Sequence, residues 1–350
     1  MRKSFSRVKS EEWLAFIFIL VFFSISVVAY GYEFSVRKSF YLMAQYFTFG
    51  EPMYGLFFAF IWIFFFGRLY FFLINLLKRK IFNRQPFKRE DIKQFVYFCG
   101  SHFRVLIPLI LVPLAAYQFI AIISYHLRFS ALDPMFFGWD EKIFGGQAFI
   151  FLPSVFKNQT MTLLFSNAYS ILPIMISLTM IVLYLKSPDN MFRKMLAAYI
   201  ISIFIAMPFF YSFPCQDPNN YFLKNIRGRS FPTKVYAQLN QYSPNQLTKE
   251  VTQKISDSET HDEADNAVPV SCFPSMHAAW SLLVIFFLAS VWRPSLFLTV
   301  PWTLLLLTGG LYFAQHYAVD YLMAVPVVLA SILLGGILIR PKKSSGLASL

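Results

Sequence analysis

Two of the chain's five histidines sit in company that suggests chemistry. His277 closes the run Pro274-Ser275-Met276-His277, and His316 precedes Asp320 by four residues in Gln315-His316-Tyr317-Ala318-Val319-Asp320. Side chains four apart on a helix are neighbours one turn removed, so a carboxylate at 320 can accept the N–H of one imidazole nitrogen of His316. That fixes the tautomer and leaves the other nitrogen as a nucleophile or base. Pro274 suits the first turn of a helix, whose free N–H groups make an anion site. His277 at that end is placed to protonate a leaving oxygen. A nucleophilic histidine with its carboxylate, an acid histidine and a helix N-terminus together make a phosphoryl-transfer centre working through a phosphohistidine. The competing chemical reading is zinc, which two histidines and an aspartate can ligate. No fourth ligand is evident, so the expectation is neither metal nor other cofactor. Taken singly, a histidine at the end of an apolar stretch is an interfacial anchor. His102 and His126 are read that way, with His126 held as a reserve candidate, and His261 is read as solvated.

The elements that must position these residues are apolar. The 350 residues are 57% hydrophobic and only 14% charged, against about 25% charged in soluble domains, which excludes a soluble enzyme. The balance of +13 is read as membrane topology and not as a nucleic-acid surface. Spans need about 20 mostly apolar residues, and eight candidates appear at about 12–31, 53–77, 103–125, 160–185, 195–213, 275–292, 295–315 and 318–339. The first is read as a retained span, without a signal-peptide cleavage site. The stretch between the third and fourth is interrupted by Asp133, Pro134, Asp140, Glu141 and Lys142, and is read as interfacial or re-entrant. The fold class expected is an all-α polytopic membrane protein of about eight transmembrane helices.

Alternation places 19 Lys and Arg against five acids on one side, and 11 against 13 on the other, with Arg68 inside the second span. The positive-inside rule then puts both termini in the cytoplasm. The hydrophilic insertion at 212–271, with a short helix near 246–256, falls outside, in a periplasm, an extracellular space or a lumen. His277, His316 and Asp320 fall at that same outer face. Of the three cysteines, Cys99 is on the reducing side, while Cys215 and Cys272 bracket the outer loop. Compartment permits a disulfide there, which would contribute about 4 kcal/mol in the chain-entropy model; two unpaired thiols are the alternative.

The two histidine motifs resemble those of the type 2 phosphatidic acid phosphatase superfamily, Pro-Ser-Gly-His and Ser-Arg, five residues, His, three residues, Asp. The resemblance is carried by residues 270–325. It implies a six-helix catalytic core plus two N-terminal helices. The domains expected are residues 1–95 with two helices and a basic cytoplasmic loop, the catalytic domain at 96–340, and a cytoplasmic tail at 341–350. It further implies His316 as nucleophile, Asp320 as its partner and His277 as general acid, with no metal. Gly309-Gly310 stand where the family has Ser-Arg, and the family's first motif is missing. Phe-Pro-Ser-Met-His and His-Tyr-x-x-Asp are similar to the inositol phosphorylceramide synthase and sphingomyelin synthase branch, which moves a phospho-headgroup between lipids. With the arginine gone, phosphate charge must be met otherwise. Lys224, Arg227 and Arg229 in the outer loop are the candidates, against a role in headgroup anchoring. Ser275 and Tyr317 within the motifs are further substrate-binding candidates. Asp140 and Tyr169 are weighed as headgroup contacts against core or interface packing, and Arg68 is read as snorkelling or pairing within the bundle.

The function expected is an integral-membrane lipid phosphotransferase at the non-cytoplasmic face. Its partners are a membrane phospholipid donor and a lipid or water acceptor, with no nucleic acid. The alternatives are a phosphatase for lipid phosphates or polyprenyl pyrophosphates and, from another class, a transporter or flippase. A transporter would place polar groups at mid-bilayer and show inverted repeats; here the ionisable cluster sits at a surface end.

Overall fold

A backbone crossing lipid satisfies its N–H and C=O groups within one helix, and among the described residues each of the eight apolar stretches is mostly helical. The computed structural model describes residues 9–30, 52–81, 86, 88–127, 131–223, 233–259 and 271–339. In chain order the first helices are α1 (Ser10–Tyr30), α2 (Pro52–Ile81), α3 (Arg89–Leu127), α4 (Asp133–Phe144), α5 (Ala148–Val155), α6 (Gln159–Ser170), α7 (Leu172–Lys186) and α8 (Arg193–Ser212). Then come α9 (Thr233–Leu239), α10 (Gln246–Glu259), α11 (Met276–Val291), α12 (Leu296–Tyr312) and α13 (Ala318–Leu338).

Three segments among the described residues, Asn190–Ser212, Arg293–Tyr312 and Ala318–Leu338, are long and apolar enough to cross a membrane. A fourth follows if α6 and α7, bent by 46° at their junction, form one crossing. The bend has a local cause. Pro173 cannot donate its backbone nitrogen and crowds the preceding turn, and Ile171 between the helices sits at φ −83°, ψ 0°. At 16 residues, α11 rises about 24 Å, short of the ~30 Å hydrocarbon core. The described chain is therefore a helical membrane protein.

The first helix is part of the main core. Phe18 and Phe22 of α1 meet Phe204 of α8 with ring centroids 4.9 and 5.7 Å apart, and Phe22 meets Phe119 of α3 at 4.8 Å. At the far end, Arg193 donates two hydrogen bonds, 2.5 and 2.8 Å, to the buried carboxylate of Glu11. Lys80 and Asp91 form an ion pair between the end of α2 and the start of α3. The 39-residue α3 runs unbroken through residues 95 and 96, where the sequence suggested a domain boundary. His102 is buried on α3 against Phe98, Phe65 and Tyr184, with Nδ1 2.8 Å from the Phe98 carbonyl. Arg68 is exposed on α2.

Helices α8 and α13 run antiparallel in close contact. A Cβ on Gly335 would lie 3.2 Å from the Lys194 carbonyl and 3.3 Å from the Ala198 nitrogen. The start of α13 therefore lies at the end of the bundle away from Arg193. There α10 docks through hydroxyls: Tyr312 Oη lies 2.7 Å from Thr248 Oγ1 and 2.8 Å from Thr162 Oγ1, and donates to the Phe156 carbonyl at 2.9 Å. The helix expected near 246–256 is thus present, slightly longer, and fastened to α6 and α12.

Candidate active site

Three helix ends converge beyond that network: the start of α11, the end of α12 and the start of α13. Each brings one part of the cluster anticipated from the sequence. Ser275 caps α11, its Oγ accepting from the Ala278 nitrogen at 3.3 Å, as an N-cap serine does. Its first-turn neighbour His277 is partly buried. The chain leaves α12 through Ala314, which adopts φ 55°, and reaches the buried His316. Asp320 sits in the first turn of α13, fully buried.

The imidazole of His316 is held from both sides. Nδ1 lies 3.3 Å from Oδ2 of Asp320, and Nε2 lies 3.1 Å from Oγ of Ser275. The His277 and His316 ring centroids are 5.6 Å apart. The two histidines, distant in sequence, do meet. Tyr169, at the end of α6, stacks on His277 at 4.4 Å, and its hydroxyl lies 3.3 Å from Nδ1. Burial depresses the His316 pKa from 6.5 to about 3, so its imidazole is neutral at physiological pH with a lone pair available.

A second layer holds the start of α13. Both carboxylate oxygens of Asp140 accept from backbone nitrogens, Ala318 at 2.8 Å and Val319 at 2.9 Å. Asp140 thus satisfies first-turn donors that a helix leaves orphaned. Asp133 accepts from the nitrogens of Gln216 (3.0 Å) and Asp217 (3.2 Å) and from the Tyr317 hydroxyl (2.9 Å). It thereby ties α4, the segment after α8 and the His316 loop together. The Tyr317 ring packs on Phe136. Asp140 and Tyr317, considered for substrate contact from the sequence, have their polar atoms engaged inside the protein.

Burial lifts the pKa of Asp133 to about 7 and that of Asp140 to about 6, against the backbone and hydroxyl donors that lower them. A carboxyl with a raised folded pKa binds more protons folded than unfolded, so its stabilising contribution, full below about 4, is lost as pH rises to about 7. The melting temperature of purified Asp133→Asn should therefore fall less than that of the unmodified protein between pH 4.5 and 7.5. Equal slopes would show that Asp133 does not titrate in that window.

The two glycines at the missing Ser-Arg position have a steric reason. A Cβ on Gly309 would lie 2.9 Å from the Phe165 carbonyl. One on Gly310 would strike the Tyr321 hydroxyl and lie 3.3 Å from both Cδ2 of His316 and Cε2 of Tyr169. An arginine side chain has no room to leave the helix there. Gly310→Ala is expected to lower stability by about 1–3 kcal/mol by overpacking, measured by thermal unfolding in detergent; an unchanged melting temperature would contradict the contact.

Lys224, Arg227 and Arg229 lie outside the described residues, as does His261. Cys215 and Cys272 are buried free thiols joined through their backbone, the Cys272 nitrogen donating to the Cys215 carbonyl at 3.2 Å. The ligand atoms of Cys272, His316 and Asp320 lie within 4.8 Å of one another, a sulfur–nitrogen–oxygen set of the kind zinc accepts. Reading by motif did not name Tyr321, gave Cys272 and Asp133 no part in this site, and saw Gly310 only as a departure from the family pattern. Asp133 carried a usable signal, a carboxylate within an otherwise apolar segment.

No curated protein and no solved structure matches the chain. A family model described as the PAP2 superfamily matches residues 136–334, more than half of the chain and the whole His277, His316 and Asp320 cluster. The chain is a membrane enzyme of the phosphatase and phosphotransferase type and belongs to the PAP2 superfamily, the type 2 phosphatidic acid phosphatases.

Proposed function

We propose that the protein is a lipid phosphotransferase of the non-cytoplasmic face, moving a phosphoryl or phospho-headgroup, of the inositol-phosphate kind, from a phospholipid to a lipid hydroxyl. The observation that carries the chemistry is the His316 imidazole held between Asp320 and Ser275, with His277 beside it. Phosphate entering over the start of α11 displaces the Ser275 hydroxyl, and Nε2 of His316 attacks phosphorus while Asp320 stabilises the charge growing on the ring. The phosphorus–oxygen bond to the departing alcohol breaks, and His277 protonates that oxygen. An acceptor hydroxyl then attacks the phosphohistidine, giving its proton to His277, and the nitrogen–phosphorus bond breaks to restore His316. No step needs a metal.

A phosphodiester donor is favoured over a phosphomonoester by the absence of an arginine at position 310. A phosphomonoester arrives with close to two negative charges and a phosphodiester with one. The crowding at Gly309 and Gly310 excludes the arginine that would offset the larger charge from that position. Lys224, Arg227 and Arg229 supply positive charge from the outer loop. Both termini are cytoplasmic in this reading, following the loop charge asymmetry. Hydrolysis of lipid phosphates or polyprenyl pyrophosphates is the second reading, supported by the superfamily's phosphatases.

The test is to incubate purified protein with labelled phospholipids, with and without ceramide or diacylglycerol, and to separate the products by thin-layer chromatography. A new phospholipid that requires the acceptor is the expected result. Free phosphate regardless of acceptor would establish the phosphatase reading in its place. Chelators should leave turnover intact, whereas inactivation by a chelator and restoration by zinc would overturn the metal-free mechanism.

A further inference from the structure

Asp320 is held asymmetrically. Its Oδ2 faces three groups: the Cys272 thiol at 2.8 Å, the Tyr317 nitrogen at 2.9 Å and His316 Nδ1 at 3.3 Å. Its Oδ1 is buried and has no hydrogen-bond partner among the described residues. The two closest contacts of the carboxylate are therefore not to the histidine it is expected to serve. A partial turn of the carboxylate about its Cβ–Cγ bond would break both of them, and so they fix the carboxylate plane relative to the His316 ring.

We propose that Cys272 is a positioning residue for the His316–Asp320 couple, its S–H donating to Oδ2 and holding the carboxylate in register with the imidazole. This rests on the phosphoryl-transfer reading above. Cys272 is itself anchored: its nitrogen bonds the Cys215 carbonyl, its sulfur lies 3.5 Å from the Gln315 carbonyl, and the residue is buried. Burial pushes its thiol pKa well above the usual range, so sulfur keeps its proton and acts as a donor. His316 Nδ1 lies farther from the sulfur, at 3.6 Å, which leaves the carboxylate as the nearer acceptor. The backbone reinforces the junction, with the Ser275 nitrogen donating to the Asp320 carbonyl at 3.3 Å. One short stretch thus brings the Asp320 thiol donor, the Ser275 cap and His277 to the same place.

The experiment compares Cys272→Ala and Cys272→Ser in the full-length purified enzyme, measuring transfer to a lipid acceptor across pH. Loss of a hydrogen bond to a charged group predicts that Ala lowers kcat roughly 10- to 100-fold, with little change in KM and a displaced acid limb of the kcat profile. Ser, which still donates, should keep kcat within about threefold and retain the unmodified profile. A purely structural role would lower the amount of folded enzyme without moving that profile. Folded Ala enzyme with unmodified kcat and profile overturns the proposal, as does Ser reduced as far as Ala. If Ala does not fold, the Ser variant decides by the same threefold criterion. Alkylation and mass spectrometry of fully active enzyme should find Cys272 as a free thiol; a Cys215–Cys272 disulfide there would leave no S–H to donate and overturns the proposal too. An unmodified enzyme that transfers nothing sinks the functional reading itself. An active enzyme, with His316→Ala dead and Cys272→Ala unaffected, sinks only the thiol's role.

Discussion

His316→Ala is expected to lower turnover by at least about 10³-fold, the scale on which removing a covalent nucleophile acts. The variant should still fold, because the lost side chain sits in a loop between α12 and α13 and not in the helix-packing core. Some destabilisation is expected, about 1–3 kcal/mol, since Asp320 and Ser275 each lose a buried partner. Size-exclusion chromatography and thermal unfolding separate that from unfolding. In the unmodified enzyme, rapid quench with labelled donor should trap phosphate on histidine, stable to base and labile to acid. The label should be absent from the variant. A folded His316→Ala enzyme with substantial activity would remove the nucleophile from the mechanism and leave direct transfer to the acceptor.

The second large effect separates acid from nucleophile. His277→Ala should cost about 10²–10⁴-fold with natural phospholipid donors, the usual contribution of a positioned general acid. The loss should depend on the leaving group. An analogue releasing an aryl alcohol needs little protonation, so the variant should recover most of its rate with it, while His316→Ala should recover none. Equal impairment on both substrates would mean that His277 binds phosphate or supports Tyr169, and does not deliver the proton. Tyr169 itself stacks on His277, so its replacement offers a milder version of the same comparison.

Much of this site was legible because its chemistry is local in sequence. The four-residue spacing of His316 and Asp320 and the Pro274-Ser275 pair are short-range patterns that fall at helix starts. His316, however, lies in the loop before α13 and not on the helix, and Pro274 precedes the Ser275 cap and is not in the first turn of α11. Each apolar stretch is largely helical for the same reason: length and apolar composition are properties of a segment. What escaped is long-range. Asp133 contacts Tyr317 184 positions away, and Tyr169 reaches His277 across 108. No spacing rule encodes either. The glycine pair registered as a departure from a motif, but only the positions of Phe165, Tyr169 and Tyr321 turn that departure into a packing requirement. The interrupted segment after α3 reads, from its sequence, as interfacial or re-entrant. It forms α4 and α5, whose acidic residues brace the His316 loop from outside the motifs. The count of crossings is harder still, since α3 exceeds a bilayer's thickness while α11 falls short of it.

Ser275 carries one further consequence. Its hydroxyl touches Nε2 of His316 while also capping α11, so the nitrogen that attacks in the proposed mechanism is already hydrogen-bonded. A stray electrophile from solvent, such as diethyl pyrocarbonate, meets a blocked target and should modify this histidine slowly. A phosphate that offers its own oxygens to the serine unplugs it without any net loss of hydrogen bonds. Selectivity for the proper reactant would then begin with a hydroxyl that trades partners, and no moving flap is required.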